Sequence, residues 1–334
     1  MTREFRAPGR VNLIGDHTDY NEGFVLPLAI DRECVVRAEP RDDAQVRVRW
    51  RDGADELSDR YVEGVVGALA ARGRPPRGID ADVSSTVPIG AGLSSSAALD
   101  VALALALCAA ADFALPPVEL ALACQEAESI ASGVPCGIMD PLTAVSGQSG
   151  YALLIDCRSL SVEPIPIPDD LAVVAIHSGV RRALAGSAYA ERRTHCERVA
   201  AELGLRALRD ASPEAVADEP RARHVVSENE RVLGAAEALR THDFETLGRL
   251  FSASHASLRD DYEVSTPELD LLVTELETAG ALGARLTGAG FGGCVCAIVE
   301  RAGAENVAER AAARYRDETG LEPTTFVWQY GPER

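Results

Sequence analysis

Alternating prolines interrupt the sequence near its middle, in SVEPIPIPDD, which spans residues 161 to 170. Proline lacks a backbone N–H and clashes with the preceding helical turn, so no helix can run through this stretch. On both sides of it, β-branched runs alternate with helix-like segments in no regular repeat. The chain has 334 residues, which suits two domains better than one. The sequence therefore predicts an α+β protein with domains at 1–165 and 166–334.

The pattern also predicts where the individual elements lie. Strands are expected in VNLIG, FVLPLAI, ECVVRAE, QVRVRW, IDADVSSTVP, GYALLIDC, LAVVAIHSG, CVCAIVE and TTFVWQY. Helices are expected at 59–71, after PIGAGLSSS, in VELALACQEAESIASG, around 189–204 and 225–240, and at 302–319. One more helix should begin in STPELDLL, where Thr266 would cap the helix and Pro267 would take its first position.

The composition excludes several classes of partner. All 33 basic residues are arginines, since the sequence contains no lysine, and 52 acidic residues give a net charge of −19. Such a balance argues against nucleic acid or an anionic membrane as a partner. The most apolar segment is broken by Asp100 and is too short for a membrane span, and MTREFRAPGR has no signal-peptide core. The eight cysteines form no CxxC pair, so we expect a cytoplasmic protein without a zinc cluster or disulfide scaffold.

Two glycine-rich turns are candidates for phosphate binding, PIGAGLSSSAALD at 88–100 and LTGAGFGGCVC at 286–296. The first lies between a predicted strand and a predicted helix, where backbone N–H groups and the helix dipole favour an anion. The same pattern also fits a tight turn with a serine N-cap, and the second turn could simply pack two elements closely. A chain without lysine cannot use a P-loop or protein-kinase lysine, so backbone amides, arginine and metal would have to neutralise ATP.

A polar segment near the start, GRVNLIGDHTDYNEGFVLP, packs an arginine, two aspartates, a histidine and a tyrosine between apolar runs. It could be a charged turn or a pocket for a polyhydroxylated ligand, because carboxylates accept hydrogen bonds from hydroxyl groups.

Three of these segments together resemble one known family. RVNLIGDHTDYNEGFVLP resembles the galactokinase signature, PIGAGLSSSAAL the ATP-phosphate loop of the GHMP kinase superfamily, and LTGAGFGGC the third motif of that superfamily. Further galactokinase-like stretches follow in the family's order, namely CGIMDP, GYALLIDCRSL, VRRALAGSAYAERR, RARHVVSENERVL and SHASLRDDYEVSTPELD. The resemblance implies a two-domain GHMP kinase fold, with an N-terminal ribosomal-protein-like α/β domain, a C-terminal ferredoxin-like domain and the active site between them. It also implies ATP-dependent phosphorylation of the anomeric hydroxyl of galactose to galactose 1-phosphate.

The resemblance assigns a role to individual residues. Asp140 of the GIMD motif would be the catalytic carboxylate, and Arg10 would stabilise charge on the transferring phosphoryl group. The ATP phosphates would lie on Gly90, Ala91, Gly92, Leu93, Ser94, Ser95 and Ser96. Mg²⁺ would be held by Ser96 and Glu128. The sugar would be bound by Asp16, His17, Asp19, Gly137 and Tyr189.

Three of these residues have an ordinary structural interpretation as well. Asp140 followed by Pro141 is typical of a helix N-cap and first helical position. Arg10 could form a surface ion pair, and Glu128 could be exposed on a helix.

Two positions depart from the family pattern. Asp16 stands where galactokinases usually have glutamate, and Pro141 where they have glutamine. The missing methylene at position 16 would leave a gap near the primary hydroxyl of the sugar, for water or a bulkier ligand. A sugar-1-kinase for N-acetylgalactosamine, galacturonate or arabinose is therefore an alternative, as is a non-catalytic sugar and ATP sensor. The intact serine loop and Asp140 favour an enzyme, which we expect to be a monomer.

Overall fold

The structure is a computed structural model that describes residues 2–51, 58–180 and 185–330. Residues 181–184, within the predicted motif VRRALAGSAYAERR, lie outside the described residues. In chain order the strands are β1 Arg3–Asn12, β2 Phe24–Val25, β3 Pro27–Pro40, β4 Val46–Trp50, β5 Ile79–Ser85, β6 Tyr151–Asp156, β7 Ser161–Pro166, β8 Leu171–His177, β9 Gly283–Thr287, β10 Cys294–Glu300 and β11 Thr324–Gln329. The helices are α1 Ser58–Ala71, α2 Ser95–Ala110, α3 Pro117–Ser132, α4 Met139–Ser146, α5 Ala185–Glu202, α6 Pro220–Thr241, α7 Phe244–Asp260, α8 Pro267–Ala279 and α9 Ala304–Thr319.

The chain divides into two compact units. The first unit comprises Met1–Arg10, Ala29–Ile89 and Leu93–Gly147, and the second comprises Val11–Leu28, Gly90–Gly92 and Gln148–Arg334. The division at 165/166 stays a prediction.

The first unit contains most of strand β3, strands β4 and β5, and helices α1 to α4. Strand β5 pairs antiparallel with β3, through Val36 and Val83, and parallel with β4, through Val48 and Ala81. Helix α2 is apolar on nearly all sides and most of its residues are buried, as expected for a helix enclosed by its neighbours. Helix α3 packs against α1, α2 and α4. The core of this unit therefore surrounds α2, whose N-terminus follows the first glycine-rich turn.

The second unit contains a four-stranded antiparallel sheet in the order β11-β8-β10-β9. Strand β8 pairs with β10 through Val173 and Ile298, and β10 pairs with β9 through Leu286 and Val295. The core beneath this sheet combines side chains from helices α5 to α9 with the fully buried Tyr262, which follows α7. Strand β9 leads directly into the second glycine-rich turn.

The proline segment 161–170 does exclude a helix, and its first part forms strand β7. Among the described strands β7 pairs only with β6, with Pro164 opposite Leu153. Proline cannot donate to a strand ladder, so an edge strand is where such a sequence fits a sheet. The prolines are therefore consistent with β7 lying at an edge of the sheet, with β6 as its one neighbour among the described strands.

Most predicted elements are confirmed, including the start of α8, where Thr266 Oγ1 accepts from the Leu269 N–H. The first strand differs, because Arg3–Asn12 is extended whereas VNLIG turns at Gly15, whose φ is +103°. Helix α7 and strands β7 and β9 were not predicted, and helix α4 was expected only under the N-cap interpretation of Asp140. Helix α4 has only eight residues and contains a proline in its first turn, so its periodicity is too short to detect. Among the described residues, no helix combines the length and apolar character that crossing a bilayer requires.

Candidate active site

An arginine–aspartate pair lies in the first unit, where Arg10 of β1 meets Asp140 of α4. Arg10 Nε donates to Asp140 Oδ1 and Arg10 Nη2 donates to Asp140 Oδ2, both at 2.7 Å. The Arg10 side chain is 6% exposed, whereas that of Asp140 is 24% exposed. Two parallel charge-assisted bonds fix the plane of the carboxylate. The pair therefore presents a held carboxylate edge to solvent, and Arg10 is not in a surface ion pair.

Asp140 does not cap helix α4. The N-cap is Ile138, and Asp140 lies inside the first turn, with no side-chain cap hydrogen bond at this end. The N-cap interpretation is therefore wrong, because the carboxylate turns to Arg10 instead of the helix backbone.

The serine triplet begins with a residue that touches the same carboxylate. Ser94 occupies the N-cap position of α2 in a left-handed conformation, with φ 60°, and makes no side-chain cap. Its hydroxyl donates to Asp140 Oδ2. A serine therefore stands at the N-cap position, but it makes no capping hydrogen bond, and the first N–H groups of α2 have no side-chain acceptor from this residue. N–H groups at a helix N-terminus that lack such an acceptor are suited to phosphate oxygens.

The two predicted metal ligands are hydrogen-bonded to each other. Ser96 Oγ donates to Glu128 Oε1 at 2.5 Å, and Glu128 is partly buried, not exposed. Burial raises the pKa of Glu128 to about 7, and the negative charge of Asp140 adds to this effect. The described residues include no group of three or more His, Cys, Asp or Glu side chains placed to hold a metal. Such a site suits Mg²⁺, because this ion needs only one or two protein oxygen ligands and takes its remaining ligands from water and phosphate.

The second unit holds the predicted sugar ligands of the first motif and Tyr189. His17 is 4% exposed and has a φ of 67°, a left-handed conformation that costs energy in a residue with a side chain. Its ring lies 5.8 Å from that of Tyr189, between centroids, and Tyr20 is 5.2 Å from Tyr189. Asp19 begins a 3-10 turn, Asp19–Asn21, and is partly buried. Gly137 is buried in the first unit, just ahead of α4.

Asp16 belongs to a buried charge cluster that the sequence did not reveal. Arg285 Nη2 donates to Asp16 Oδ2 at 2.6 Å, and the Gly288 N–H donates to Asp16 Oδ1 at 2.9 Å. Arg285 is also 3.8 Å from Glu228 of α6, and all three charged side chains are 2% exposed or less. Arg285 further donates to the Leu13 carbonyl and to Ser254 Oγ. The cluster thus fastens the Asp16 segment to the second glycine-rich turn.

Sequence reasoning missed Arg285, Glu228 and Tyr262 as residues around the site. A lone arginine within the apolar strand of ALGARLT was the available signal for Arg285. Glu228 and Tyr262 fall inside RARHVVSENERVL and SHASLRDDYEVSTPELD, which resemble the family but carry no separate chemical pattern.

Glu228 gives a prediction about acid stability. Burial alone would raise the pKa of Glu228, but Arg231, His224, Arg285 and the Ser254 hydroxyl lower it to about 2 from a usual 4.5. A lowered folded-state pKa stabilises the fold above pH 4.5, on the order of 3 kcal/mol, and this is lost as the pH falls towards 2.

We therefore expect Glu228→Gln to flatten the decline of unfolding free energy between pH 5 and 3, measured by urea titration. Glu230→Gln, an exposed neighbour on the same helix, is the control and should decline as the wild type does. Equal slopes for all three proteins would contradict the prediction.

Three models of known protein families match segments of this chain. The family model of the GHMP kinases N terminal domain matches residues 60–148, and that of the GHMP kinases C terminal matches residues 235–317. The structure thus has the GHMP kinase fold, with N- and C-terminal domains. A third model, the galactokinase galactose-binding signature, matches residues 3–40, which include Arg10 and the segment from Asp16 to Asp19.

Similarity to individual proteins extends over most of the chain and identifies the family more closely. The chain is 49% identical to a galactokinase of Roseiflexus sp. (strain RS-1), over 96% of this chain and 90% of the relative, and 49% identical to one of Chloroflexus aurantiacus, over 89% and 84%. The structure of Lactococcus lactis galactokinase complexed with galactose is similar, with a TM-score of 0.92, 32% identity and coverage of 99% of this chain and 94% of that one. The chain belongs to the galactokinase family, whose members are ATP-dependent sugar kinases.

Proposed function

We propose that the protein transfers the γ-phosphoryl group of ATP to the anomeric hydroxyl of D-galactose, giving galactose 1-phosphate and ADP. The observation that carries the proposal is the fork of Arg10 on Asp140, in a chain that belongs to the galactokinase family. Kinase chemistry needs a positioned proton acceptor and charge stabilisation more than covalent catalysis. In this pair Asp140 is the proton acceptor, and Arg10 provides the stabilising charge.

In the proposed reaction, the anomeric oxygen attacks the γ-phosphorus while the bond to the β–γ bridging oxygen breaks, releasing ADP. The hydroxyl proton passes to Asp140, whose carboxylate plane is fixed by Arg10 and by the Ser94 hydroxyl. Arg10 stabilises the negative charge that develops on the phosphoryl oxygens, because an arginine guanidinium keeps its proton in proteins.

Mg²⁺ is proposed as the accompanying ion, held by Ser96 and Glu128. These residues fit Mg²⁺ because both side chains supply oxygen ligands, and Ser96 Oγ lies 2.5 Å from Glu128 Oε1. When bound, the ion neutralises charge on the phosphates. The phosphates themselves are proposed to lie on the loop from Gly90 to Ser96, with N–H groups of α2 as donors.

For the sugar, we propose Asp16, His17, Asp19, Tyr189 and the Gly137 backbone as ligands. Asp16 already accepts from Arg285 and Gly288, but a carboxylate offers about four lone-pair sites. A sugar hydroxyl would be a further donor to this carboxylate.

We also propose that the protein acts as a monomer in the cytoplasm. Each proposed ligand group comes from the same chain, so no second copy is needed to complete a cluster. All eight cysteines lie within the described residues and none of them is assigned to a disulfide, which suits a reducing compartment.

A coupled ADP-release assay across galactose, glucose, N-acetylgalactosamine, galacturonate and arabinose tests the proposal. We expect galactose to have the highest kcat/KM. The shorter acid at position 16 is the reason to carry a second candidate, a kinase for a related sugar. A tenfold preference for another sugar would establish that candidate instead, and binding of galactose and ATP without turnover with any sugar would indicate a sensor.

A further inference from the structure

Helix α6 holds both ends of the polar segment 15–24, and helix and segment both belong to the second unit. At one end the Gly15 N–H donates to Glu228 Oε1 at 3.0 Å. At the other end the Phe24 N–H donates to Asn229 Oδ1 at 2.8 Å. Both side chains of the helix are buried. Neighbouring positions of one helix thus fasten the backbone of a segment that contains three of the proposed sugar ligands.

A histidine of the same helix contacts the segment between these two ends. His224 is completely buried, and its Nε2 lies 3.1 Å from the Asp16 carbonyl oxygen. A backbone carbonyl oxygen has no proton and can only accept, so Nε2 is the donor in this contact.

The other side of the ring leaves the direction of this bond unchanged. The Ser257 hydroxyl lies 2.9 Å from His224 Nδ1 and 3.0 Å from Asp261 Oδ2, so its one proton has two acceptors within reach. If Ser257 donates to Nδ1, the ring is the neutral Nε2–H tautomer. If Ser257 donates to Asp261, a ring with both nitrogens protonated fits. Nε2 carries a proton in both states.

The bond from His224 determines how the chain enters His17. The Asp16 carbonyl and the His17 N–H belong to one planar peptide unit, so holding the carbonyl fixes the orientation of that unit. His17 has a φ of 67°, a left-handed conformation that persists only where surrounding contacts hold it. On the other side of this residue, Asn21 Nδ2 donates to the His17 carbonyl at 2.9 Å. Both peptide units that flank His17 are therefore held by side chains.

We propose that His224 is a positioning residue of the sugar site, whose Nε2–H holds the Asp16–His17 peptide so that the His17 side chain meets the sugar. His224 acts through the backbone of the segment and is not itself a proposed sugar ligand. The effect on sugar binding rests on the proposed function, whereas the contact of His224 with the segment is a property of the protein alone.

Two substitutions of His224 form a matched pair. In His224→Gln the amide nitrogen is separated from Cα by the same number of bonds as Nε2 of histidine, so it can donate to the same carbonyl. In His224→Met the side chain has nearly the length of glutamine but no donor. Both variants lose the imidazole ring, and they differ in the donor.

Hydrogen exchange of the ligand-free protein, followed by mass spectrometry, tests the contact. We expect fragments that cover residues 15–24 to exchange at least about threefold faster in His224→Met than in the wild type, and within about twofold of the wild type in His224→Gln. Wild-type exchange in His224→Met, or equally faster exchange in both variants, would overturn the proposal.

NMR of ¹⁵N-histidine-labelled wild-type protein tests the donor without a destabilising substitution. The chain contains six histidines, and the signals that disappear in His224→Gln are those of this ring. We expect a proton on Nε2. A ring with its only proton on Nδ1 would overturn the proposal, whatever the stability of His224→Met.

Kinetics test the effect on sugar binding. We expect His224→Met to raise the KM for galactose roughly 3- to 10-fold, because a smaller fraction of the protein then holds the segment in its binding geometry. Saturating galactose restores that geometry, so kcat and the KM for ATP should stay within about twofold of the wild type. His224→Gln should keep the galactose KM of the wild type.

Tyr315→Phe is the control for a general loss of stability. Tyr315 is completely buried in the second unit and donates to the Ser178 carbonyl, so its variant loses one buried hydrogen bond away from the segment. It should keep its galactose KM. An equal rise in galactose KM in Tyr315→Phe and His224→Met would overturn the role of His224.

Failure of this inference and failure of the proposed function give different results. If the wild type phosphorylates no sugar, the proposed function fails, and hydrogen exchange and NMR alone support or overturn the contact. If the wild type phosphorylates galactose but the two His224 variants have equal galactose KM values, the proposed function stands and the positioning role is overturned.

Discussion

Asp140→Asn is expected to lower kcat for galactose phosphorylation by about 100- to 10,000-fold, the usual contribution of a positioned acid or base. The amide has the shape of the carboxylate but cannot take up the hydroxyl proton. It also offers one acceptor oxygen where Arg10 and Ser94 now share two. The loss should fall on kcat, because the change removes a group needed in the transition state.

The matched control is Asp112→Asn, which makes the same chemical change at an exposed position of the first unit. Both variants should give the circular dichroism spectrum of the wild type, and the control should keep its kcat. Near-normal turnover in Asp140→Asn would remove Asp140 from the reaction and leave it a structural partner of Arg10.

The largest expected loss of stability follows from Arg285→Met. Burial alone would lower the pKa of Arg285, but the charges of Asp16 and Glu228 raise it, so the guanidinium is charged between two buried carboxylates. Methionine fills much of the space but leaves both carboxylates without their cation. Removing one partner of a buried ion pair typically costs about 3 to 5 kcal/mol.

Urea unfolding at pH 7 measures this loss. Arg259→Met is the control, because Arg259 is an exposed arginine paired with the adjacent Asp260, and it should change stability by less than about 1 kcal/mol. Adding Glu228→Gln to Arg285→Met should cost less than the sum of the two single changes, since one uncompensated charge then disappears. A loss within about 1 kcal/mol for Arg285→Met would show that the cluster contributes little to stability.

Local patterns predicted the elements with strong local signals. Thr266 and Pro267 fixed the start of α8, and the apolar run after the serine triplet predicted α2, because capping and periodicity depend only on neighbouring residues. Periodicity missed helix α4 because its eight residues are too few for such a signal, and its proline suggested an N-cap at Asp140.

Pairings between distant residues could not be predicted in this way. Asp16 and Arg285 are 269 positions apart, and neither has a local pattern that requires the other. Ser94 has the position of an N-cap but bonds Asp140, 46 positions away. The resemblance selected Arg10, Asp140, Ser96 and Glu128, and the structure shows what each of them contacts. Their roles in catalysis and metal binding remain predictions.

Phosphoryl transfer from ATP to the anomeric oxygen of galactose can be tested by ³¹P and ¹H NMR of the reaction products. After incubation of the protein with ATP, Mg²⁺ and galactose, we expect ADP and one sugar phosphate in equal amounts. The phosphorus should couple to the proton on C1 of galactose. A phosphate on any other carbon, or ADP and free phosphate with unmodified galactose, would rule out transfer to the anomeric oxygen.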